Sequence, residues 1–406
     1  MTGPLAGIRV LDCASFQASA AGYMLGDLGA EVIKIEDPVR GDNYRGMTQM
    51  YGDAMSLPGG RLAGFESANR NKRSITLDLK NERGRQVLRG LVERSDVFYT
   101  NLRKSVMCQL GADYRTLVRY NPRLIYAASS VYGPEGPLAE KRGFDQTAQA
   151  RSGLMFAMGD RANPEPVQVM AGICDQMAAI ILAHGVVVAL LVRERLGFGQ
   201  EVEVSLLGSS IHLQATGINV ASLRGKPWVR HSRTRTRNPL SNHYRCADGK
   251  WLLLSELQSD RVWPEFCHAL GLEALADDPR FATAMGGRRE HATELIAILD
   301  KAFATRDRDE WVSIFEKRGV EFAYSPVHDY NEVLSDPQAL ENEYITDFDH
   351  PVFGRIKLAG CPIKFSETPA QIYREAPEHG QHTEEILLEE GYSWQDISQL
   401  REEGAI

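Results

Sequence analysis

Gly7-Ile8-Arg9-Val10-Leu11-Asp12 and Glu31-Val32-Ile33-Lys34-Ile35-Glu36 are two short apolar runs of strand character, separated by small, helix-compatible residues from Ala18 to Leu28. Strand, helix and strand in that order form a β-α-β unit, whose strands must run parallel because the helix carries the chain back across the sheet. The alternation continues outward, with strands expected over 74–79, 96–100, 124–129 and 199–206 and helices over 81–93 and 113–120. This pattern predicts an α/β fold built on a doubly wound parallel sheet. Glu36 stands where a dinucleotide-binding protein contacts a ribose. The first turn, Asp12-Cys13-Ala14-Ser15-Phe16-Gln17-Ala18, nevertheless lacks the G-x-G-x-x-G that lets backbone approach a pyrophosphate, which disfavours a nicotinamide dehydrogenase.

A second segment organises the rest: Gly172-Ile173-Cys174-Asp175-Gln176-Met177, followed by an almost wholly apolar run over 177–192, then Arg193-Glu194-Arg195 and Gly197. The spacing predicts one long helix beginning just after Asp175, with a basic last turn and a glycine C-cap. Asp175 would be its N-cap, held ionised by the helix dipole and therefore available as an oxygen nucleophile. A plain capping role is the simpler alternative.

With 406 residues, 43% hydrophobic and 25% charged, the chain has enough material for two domains with separate cores. A net charge of −8 argues against nucleic acid or an anionic membrane as the general partner, so an anionic ligand would need a local basic patch. Asn69-Arg70-Asn71-Lys72-Arg73 is one candidate phosphate clamp, with a solvated surface as its alternative. Asn101-Leu102-Arg103-Lys104 lies just past a strand end, at the sheet edge where α/β proteins bind ligands. Cys13, Cys108, Cys174, Cys246, Cys267 and Cys361 are widely spaced without a C-x-x-C pair, which suits reduced thiols and neither a disulfide framework nor a metal site. No signal peptide is visible, and the 177–192 run, broken by His184 and Gly185, is shorter than a membrane span, so a cytoplasmic protein is expected.

Composition shifts at Arg224, Lys226, Arg230, Arg233, Arg235 and Arg237, six cations in a short unpatterned stretch. Beyond them comes a hairpin over 244–254 with Asp248-Gly249 as its turn, then helices to about residue 317. Ser325-Pro326-Val327 and Asp336-Pro337-Gln338 mark a return linker, followed by strands over 354–365 and a closing amphipathic helix pair around 383–389 and 394–400. The expected division is a large Rossmann-like domain over 1–222, a smaller α+β domain with its linker over 223–330, and a return to the large domain over 331–406.

In order and spacing the chain resembles the family III coenzyme A transferases, the group that includes formyl-CoA and carnitine CoA-transferases. The resemblance rests on Pro4-Leu5-Ala6-Gly7-Ile8-Arg9-Val10-Leu11-Asp12, Gly29-Ala30-Glu31-Val32-Ile33-Lys34-Ile35-Glu36, Asn71-Lys72-Arg73-Ser74, Asn101-Leu102-Arg103, Ala148-Gln149, Gly197-Phe198-Gly199-Gln200-Glu201-Val202 and Gly380-Gln381-His382-Thr383. It implies two chains interlocked as a homodimer, or as a heteromer with a homologous subunit. The nucleophile falls on Asp175, which would form a mixed anhydride and then an aspartyl-CoA thioester. A CoA thioester is then a substrate, and no resident cofactor or metal is implied.

By position, Gln17 would contact reaction intermediates, Phe16 and Ala18 would lie by the thioester, and Lys72, Arg73, Asn101, Arg103 and Arg142 would surround the nucleotide and phosphates. Asp37 and Gln109 replace basic residues common in the family. Where formyl-CoA transferases carry a glycine-rich loop, this chain has Arg230-His231-Ser232-Arg233-Thr234-Arg235-Thr236-Arg237. Arginine forks suit carboxylates, so Arg233 and Arg235 would read a second carboxylate on a dicarboxylic acid such as a substituted succinate, with succinyl-CoA as a donor. Two rival readings are a 2-methylacyl-CoA racemase, disfavoured because Phe144 replaces its proton-transferring histidine, and a non-catalytic CoA-binding subunit.

Overall fold

Six parallel strands make the sheet: β1 Arg9–Cys13, β2 Glu31–Glu36, β3 Lys72–Thr76, β4 Val97–Thr100, β5 Ile125–Ser130 and β6 Glu201–Ser205, in the order β3-β2-β1-β4-β5-β6. The computed structural model describes residues 3–406. Strand order reverses between β1 and β4, the doubly wound topology whose switch point opens a crevice beyond the carboxyl ends of the strands. Leu11 lies opposite Ile33 and Phe98 in the ladder, and Val10 opposite Val32 and Val97.

Those alternate residues feed two different cores. Leu11, Ile33, Ile75 and Phe98 pack on one face with Val87 and Leu91 of helix α2 (Glu82–Glu93). Val10, Val32, Val97 and Ile125 pack on the other with Ala21 and Leu25 of helix α1 (Ala20–Asp27) and with the long helix. Strands apolar on both faces are what a parallel sheet covered by helices requires.

Strand β3 corrects the expected 74–79 boundary: it begins two residues earlier, so Lys72 and Arg73 lie inside the sheet instead of on an exposed approach to it. The chain returns to this unit at its end. Helices α5 (Thr383–Glu389) and α6 (Trp394–Glu402) place Ile386, Leu387, Ile397 and Leu400 in the first core.

Two compact units result: Met1–Met155, Gln168–Gly225 and Pro337–Ile406 form the first, while Phe156–Val167 and Lys226–Asp336 form the second. The second holds an antiparallel sheet of β7 Ser241–Arg245, β8 Trp251–Ser255 and β9 Tyr324–Val327. Gly249 takes φ +82 in the hairpin turn, a left-handed conformation that favours glycine. Tyr244, Trp263, Phe266, Phe281, Phe303, Trp311, Phe315 and Phe322 give this unit a core dominated by aromatic rings.

The long helix α4 spans Ile173–Leu196. Gly197 caps its end at φ +87, donating its N–H to the Arg193 carbonyl, as the sequence predicts. Its 24 residues are long and apolar enough to cross a membrane, more than the sequence-based expectation allowed. Ala179, Leu182, Ala183, Val186, Ala189 and Leu190 nevertheless pack in the second of the sheet cores.

Candidate active site

Helix α4 begins three residues before the expected start, so Asp175 is a residue of its first turn and not its N-cap. The N-cap is Gly172 (φ +67), which follows Ala171 at φ +65, and it offers no side chain. The capping acceptor comes from elsewhere. Asp145, the first residue of helix α3 (Asp145–Ser152), takes the Cys174 N–H at 2.6 Å and the Asp175 N–H at 3.1 Å on Oδ2. Its other oxygen accepts from Gln149, one turn along α3. Gln149 also donates to the Val169 carbonyl at 2.7 Å and accepts from the Val169 N–H at 2.9 Å. The approach to the strained Ala171-Gly172 turn is thereby clamped from both sides, as a left-handed alanine requires.

This arrangement reverses the expected charge preference at Asp175. The free amides at the helix start are taken by Asp145, and the Asp175 carboxyl is pushed up to about 7, first by burial and second by the Asp145 carboxylate. Near neutral pH the group therefore divides between acid and carboxylate, a condition suited to a group that must alternately attack and leave.

Gln17 meets Asp175 over Gly172. A Cβ on Gly172 would lie 3.4 Å from Asp175 Oδ2 and 3.7 Å from Gln17 Cγ. The Gln17 amide donates to Gln176 Oε1 at 2.9 Å and accepts from the Tyr44 hydroxyl at 3.3 Å, while Gln176 donates to the Tyr23 hydroxyl at 3.3 Å. This chain of bonds holds Gln17 beside the carboxyl.

The Phe16 backbone is left-handed (φ +59), and a buried ion pair beneath it fixes that conformation. Asp42 accepts from the Phe16 N–H at 3.2 Å and from Ser15 Oγ at 3.1 Å, and its other oxygen lies 2.8 Å from Lys34 Nζ. Lys34 also donates to the Ala14 carbonyl at 2.9 Å. Burial opposes its charge, but Asp12, Asp42 and Glu36 outweigh that cost and hold it protonated. Ala18 completes the short turn Phe16–Ser19.

Of the basic residues expected around a nucleotide, two are committed elsewhere. Lys72 has no exposed surface, donates to Asp12 at 2.7 Å, the Ser19 carbonyl at 2.6 Å and Asn69 Oδ1 at 2.9 Å, and is pushed down to about 8 by burial. Arg73 closes on Glu31, Glu385 and Glu389, tying β3 to α5. Both therefore hold the fold together and offer no open donor to a phosphate.

Asn101 stitches the switch point itself, accepting from the Ser15 N–H at 3.0 Å and donating to the Ser15 carbonyl at 2.9 Å. Arg103 and Arg142 line a cleft of about 830 Å³ past the ends of β4 and β5, with Lys104, Arg115, Lys141 and Phe144 also on its walls. In the second unit Arg233 is paired twice with Asp300, at 2.7 and 3.0 Å, so its fork is not open to a substrate carboxylate; Arg235 is exposed.

Asp145, Gln149, Asp42 and Tyr44 were not anticipated as site residues. The first two carried a signal, an Asp and a Gln four residues apart on one helix face, the Gln inside a segment that already supported the family resemblance.

The chain matches the model of CoA-transferase family III over residues 5–383. It is 31% identical over 405 residues to a cinnamoyl-CoA:phenyllactate CoA-transferase of Clostridium sporogenes, covering 99% of this chain and 97% of that protein. It is 32% identical over 405 residues to a succinyl-CoA–D-citramalate CoA-transferase of Chloroflexus aurantiacus, covering 98% and 97%. Among solved structures, a CAIB/BAIF family protein from Brucella suis superposes with a TM-score of 0.86 at 28% identity, covering 96% of this chain and 100% of that one.

Proposed function

The chain belongs to CoA-transferase family III, and from that premise we propose that it moves coenzyme A between an acyl thioester and a free carboxylate through covalent intermediates on Asp175. The observation that carries the reading is the Asp175 carboxyl, seated over Gly172 beside Gln17 and balanced near neutrality by burial and Asp145.

In this reading an Asp175 oxygen attacks the thioester carbonyl carbon, the C–S bond breaks, and a mixed anhydride and CoA thiolate form. The thiolate then attacks the Asp175 carboxyl carbon, the anhydride C–O bond breaks, and the donor acid leaves from an aspartyl-CoA thioester. The acceptor carboxylate attacks the same carbon and expels the thiolate. That thiolate takes the acceptor acyl group and restores Asp175. Splitting one exchange into these steps is the gain of covalent catalysis. The Gln17 amide is the polar group placed to meet the oxygens that acquire charge.

Nucleotide and phosphates would occupy the cleft lined by Arg103 and Arg142, a choice supported by its basic side chains and by the closure of Lys72 and Arg73 on internal acids. Among donors, the succinyl thioester in the name of the Chloroflexus relative is the first to assay. With Arg233 closed on Asp300, a dicarboxylate preference in the second unit would rest on Arg235.

Incubation with acyl-CoA followed by hydroxylamine or borohydride should leave a modification that mass spectrometry maps to Asp175. Turnover without any label there would end the reading.

A dimer is part of the same proposal. Ile180, Val187, Val188 and Leu191 are exposed along α4, an apolar face that a second copy would cover. Light scattering is expected to give twice the 45.2 kDa chain mass, and Val188→Glu with Leu191→Glu to give the single-chain mass. A monomeric parent protein would remove this part.

A further inference from the structure

We propose that Tyr44, Gln176 and Tyr23 are positioning residues that fix which way the Gln17 amide faces, keeping one of its Nε2 hydrogens free for the oxygen that gains charge during transfer. The inference rests on the Asp175 transfer reading and on Gln17 serving it, and adds the residues that act through Gln17.

These side chains form one continuous run of hydrogen bonds. The Tyr44 hydroxyl donates to Gln17 Oε1 at 3.3 Å, Gln17 Nε2 donates to Gln176 Oε1 at 2.9 Å, and Gln176 Nε2 donates to the Tyr23 hydroxyl at 3.3 Å. The run passes directly beside the nucleophile. Gln176 follows Asp175 in α4, and a Cβ on Gly172 would lie 3.7 Å from Gln17 Cγ and 3.4 Å from Asp175 Oδ2. A primary amide carries two N–H bonds; Gln17 spends one on Gln176, and the other makes no hydrogen bond among the described residues.

Both ends are anchored. Tyr44 is 6% exposed, packs with Phe65, Ala68 and Ala376, and meets the Phe16 ring edge-to-face at 5.3 Å. Its backbone N–H donates to Asp42 at 2.8 Å, and its ring lies so close to Gly64 that a Cβ there would come within 2.9 Å. At the other end the Arg70 guanidinium lies 4.3 Å from the centre of the Tyr23 ring in α1, and Asp27 holds Arg70 at 2.6 Å.

A run of this kind has two possible directions, the second with both amides turned over and both hydroxyls exchanging roles. Burial chooses between them. In the reversed direction the Tyr44 oxygen would accept from Gln17 and its proton would be stranded in the core, where the hydroxyl has no other hydrogen-bond partner among the described residues. A buried donor without an acceptor is costly. In the direction observed, the spare hydroxyl proton belongs to Tyr23, which is only half-buried and can give it to water. Burial, and then the Asp175 carboxylate, also raise the Tyr44 phenol above its ordinary range, so it remains protonated and donates.

The test is a double-mutant cycle. Gln17→Ala is expected to lower kcat by about 10²-fold, the worth of one lost oxyanion donor. Tyr44→Phe keeps the ring and removes only the donor. It should lower kcat by about tenfold, leave KM within about twofold and leave the acidic limb of kcat/KM in place, since no charge is lost. In the Gln17→Ala background the same change should cost less than about twofold more. Gln176→Met removes the acceptor at similar chain length and should repeat both results, so a poorly folded Tyr44→Phe does not decide the matter. Tyr23→Phe, where water can replace the lost partner, should cost about threefold. Losses that persist undiminished without Gln17, losses that fall on KM instead of kcat, or full-rate Tyr44→Phe and Gln176→Met enzymes overturn the proposal. A Tyr23→Phe loss as large as that of Tyr44→Phe overturns the direction assigned to the run. In each case butanoyl-CoA trapping on Asp175 of the parent enzyme leaves the transfer reading standing, and absence of the trapped species with every acyl-CoA overturns both.

Discussion

Asp175→Asn is expected to lower kcat by about 10⁴-fold or more, because the amide cannot carry the acyl group and the remaining contacts only bind substrate. The same substitution should stabilise the fold above neutrality. The folded carboxyl titrates at about 7, above its ordinary range near 3.9, so folding holds its proton more tightly than the unfolded chain does. Stability contributed by this group is therefore greatest in acid and is lost as pH rises from about 4 through 7. By pH 8 the penalty is on the order of 2–4 kcal/mol, taking ~1.4 kcal/mol for each tenfold change in proton affinity.

Asparagine imitates the neutral acid and removes this penalty. Thermal unfolding should show the variant more stable than the parent at pH 8 and indistinguishable from it near pH 4. In the parent, kcat/KM should rise with pH and level off above about 7, the ionised nucleophile being the attacking form. A variant that loses activity but gains nothing at pH 8 would mean that the carboxyl is not held against its charge.

The second large effect belongs to Asp145. Asp145→Asn keeps the side-chain shape but turns one acceptor into a donor, opposite either the Cys174 and Asp175 amides or Gln149. Each buried bond lost costs about 1–3 kcal/mol, so the unfolding midpoint should fall. Removal of the neighbouring charge should also move the acidic limb of kcat/KM below its parent position near 7, though burial keeps it above the range of a free carboxyl. A purely structural lesion would scale kcat/KM down at every pH and leave the limb in place. A displaced limb therefore marks the carboxylate as the group that sets the proton affinity of Asp175.

These two residues also mark where the sequence was readable. Strand β2 and helix α5 have the bounds that pattern alone suggested, because one is a dense apolar run and the other is bracketed by Gly380 and Gly391. The end of α4 was legible because Gly197 is a local signal. Its start was not, since the acceptor that caps it lies 29 residues back along the chain. The same difficulty hid the roles of Lys72 and Arg73. A Lys-Arg pair reads as surface until Asp12, Glu31 and α5 are folded around it. Arg233 was read as an open fork for want of knowledge that Asp300 lies opposite. Local propensity and periodicity are written in neighbouring residues, whereas charge compensation is settled by residues far away in the chain.

The way α5 and α6 close the sheet has a consequence for the order in which the protein is made. Ile386, Leu387, Ile397 and Leu400 complete a core begun by Leu11 and Ile33, and Arg73 in β3 reaches its acids at Glu385 and Glu389. A nascent chain leaving the ribosome must keep one face of its sheet uncovered until α5 and α6 have emerged. The aromatic core of the second unit, drawn from the continuous segment Lys226–Asp336, is already fully synthesised by then. The unit that holds the sheet is thus completed after the second unit, and chaperone protection during synthesis matters most for the sheet that carries the chemistry.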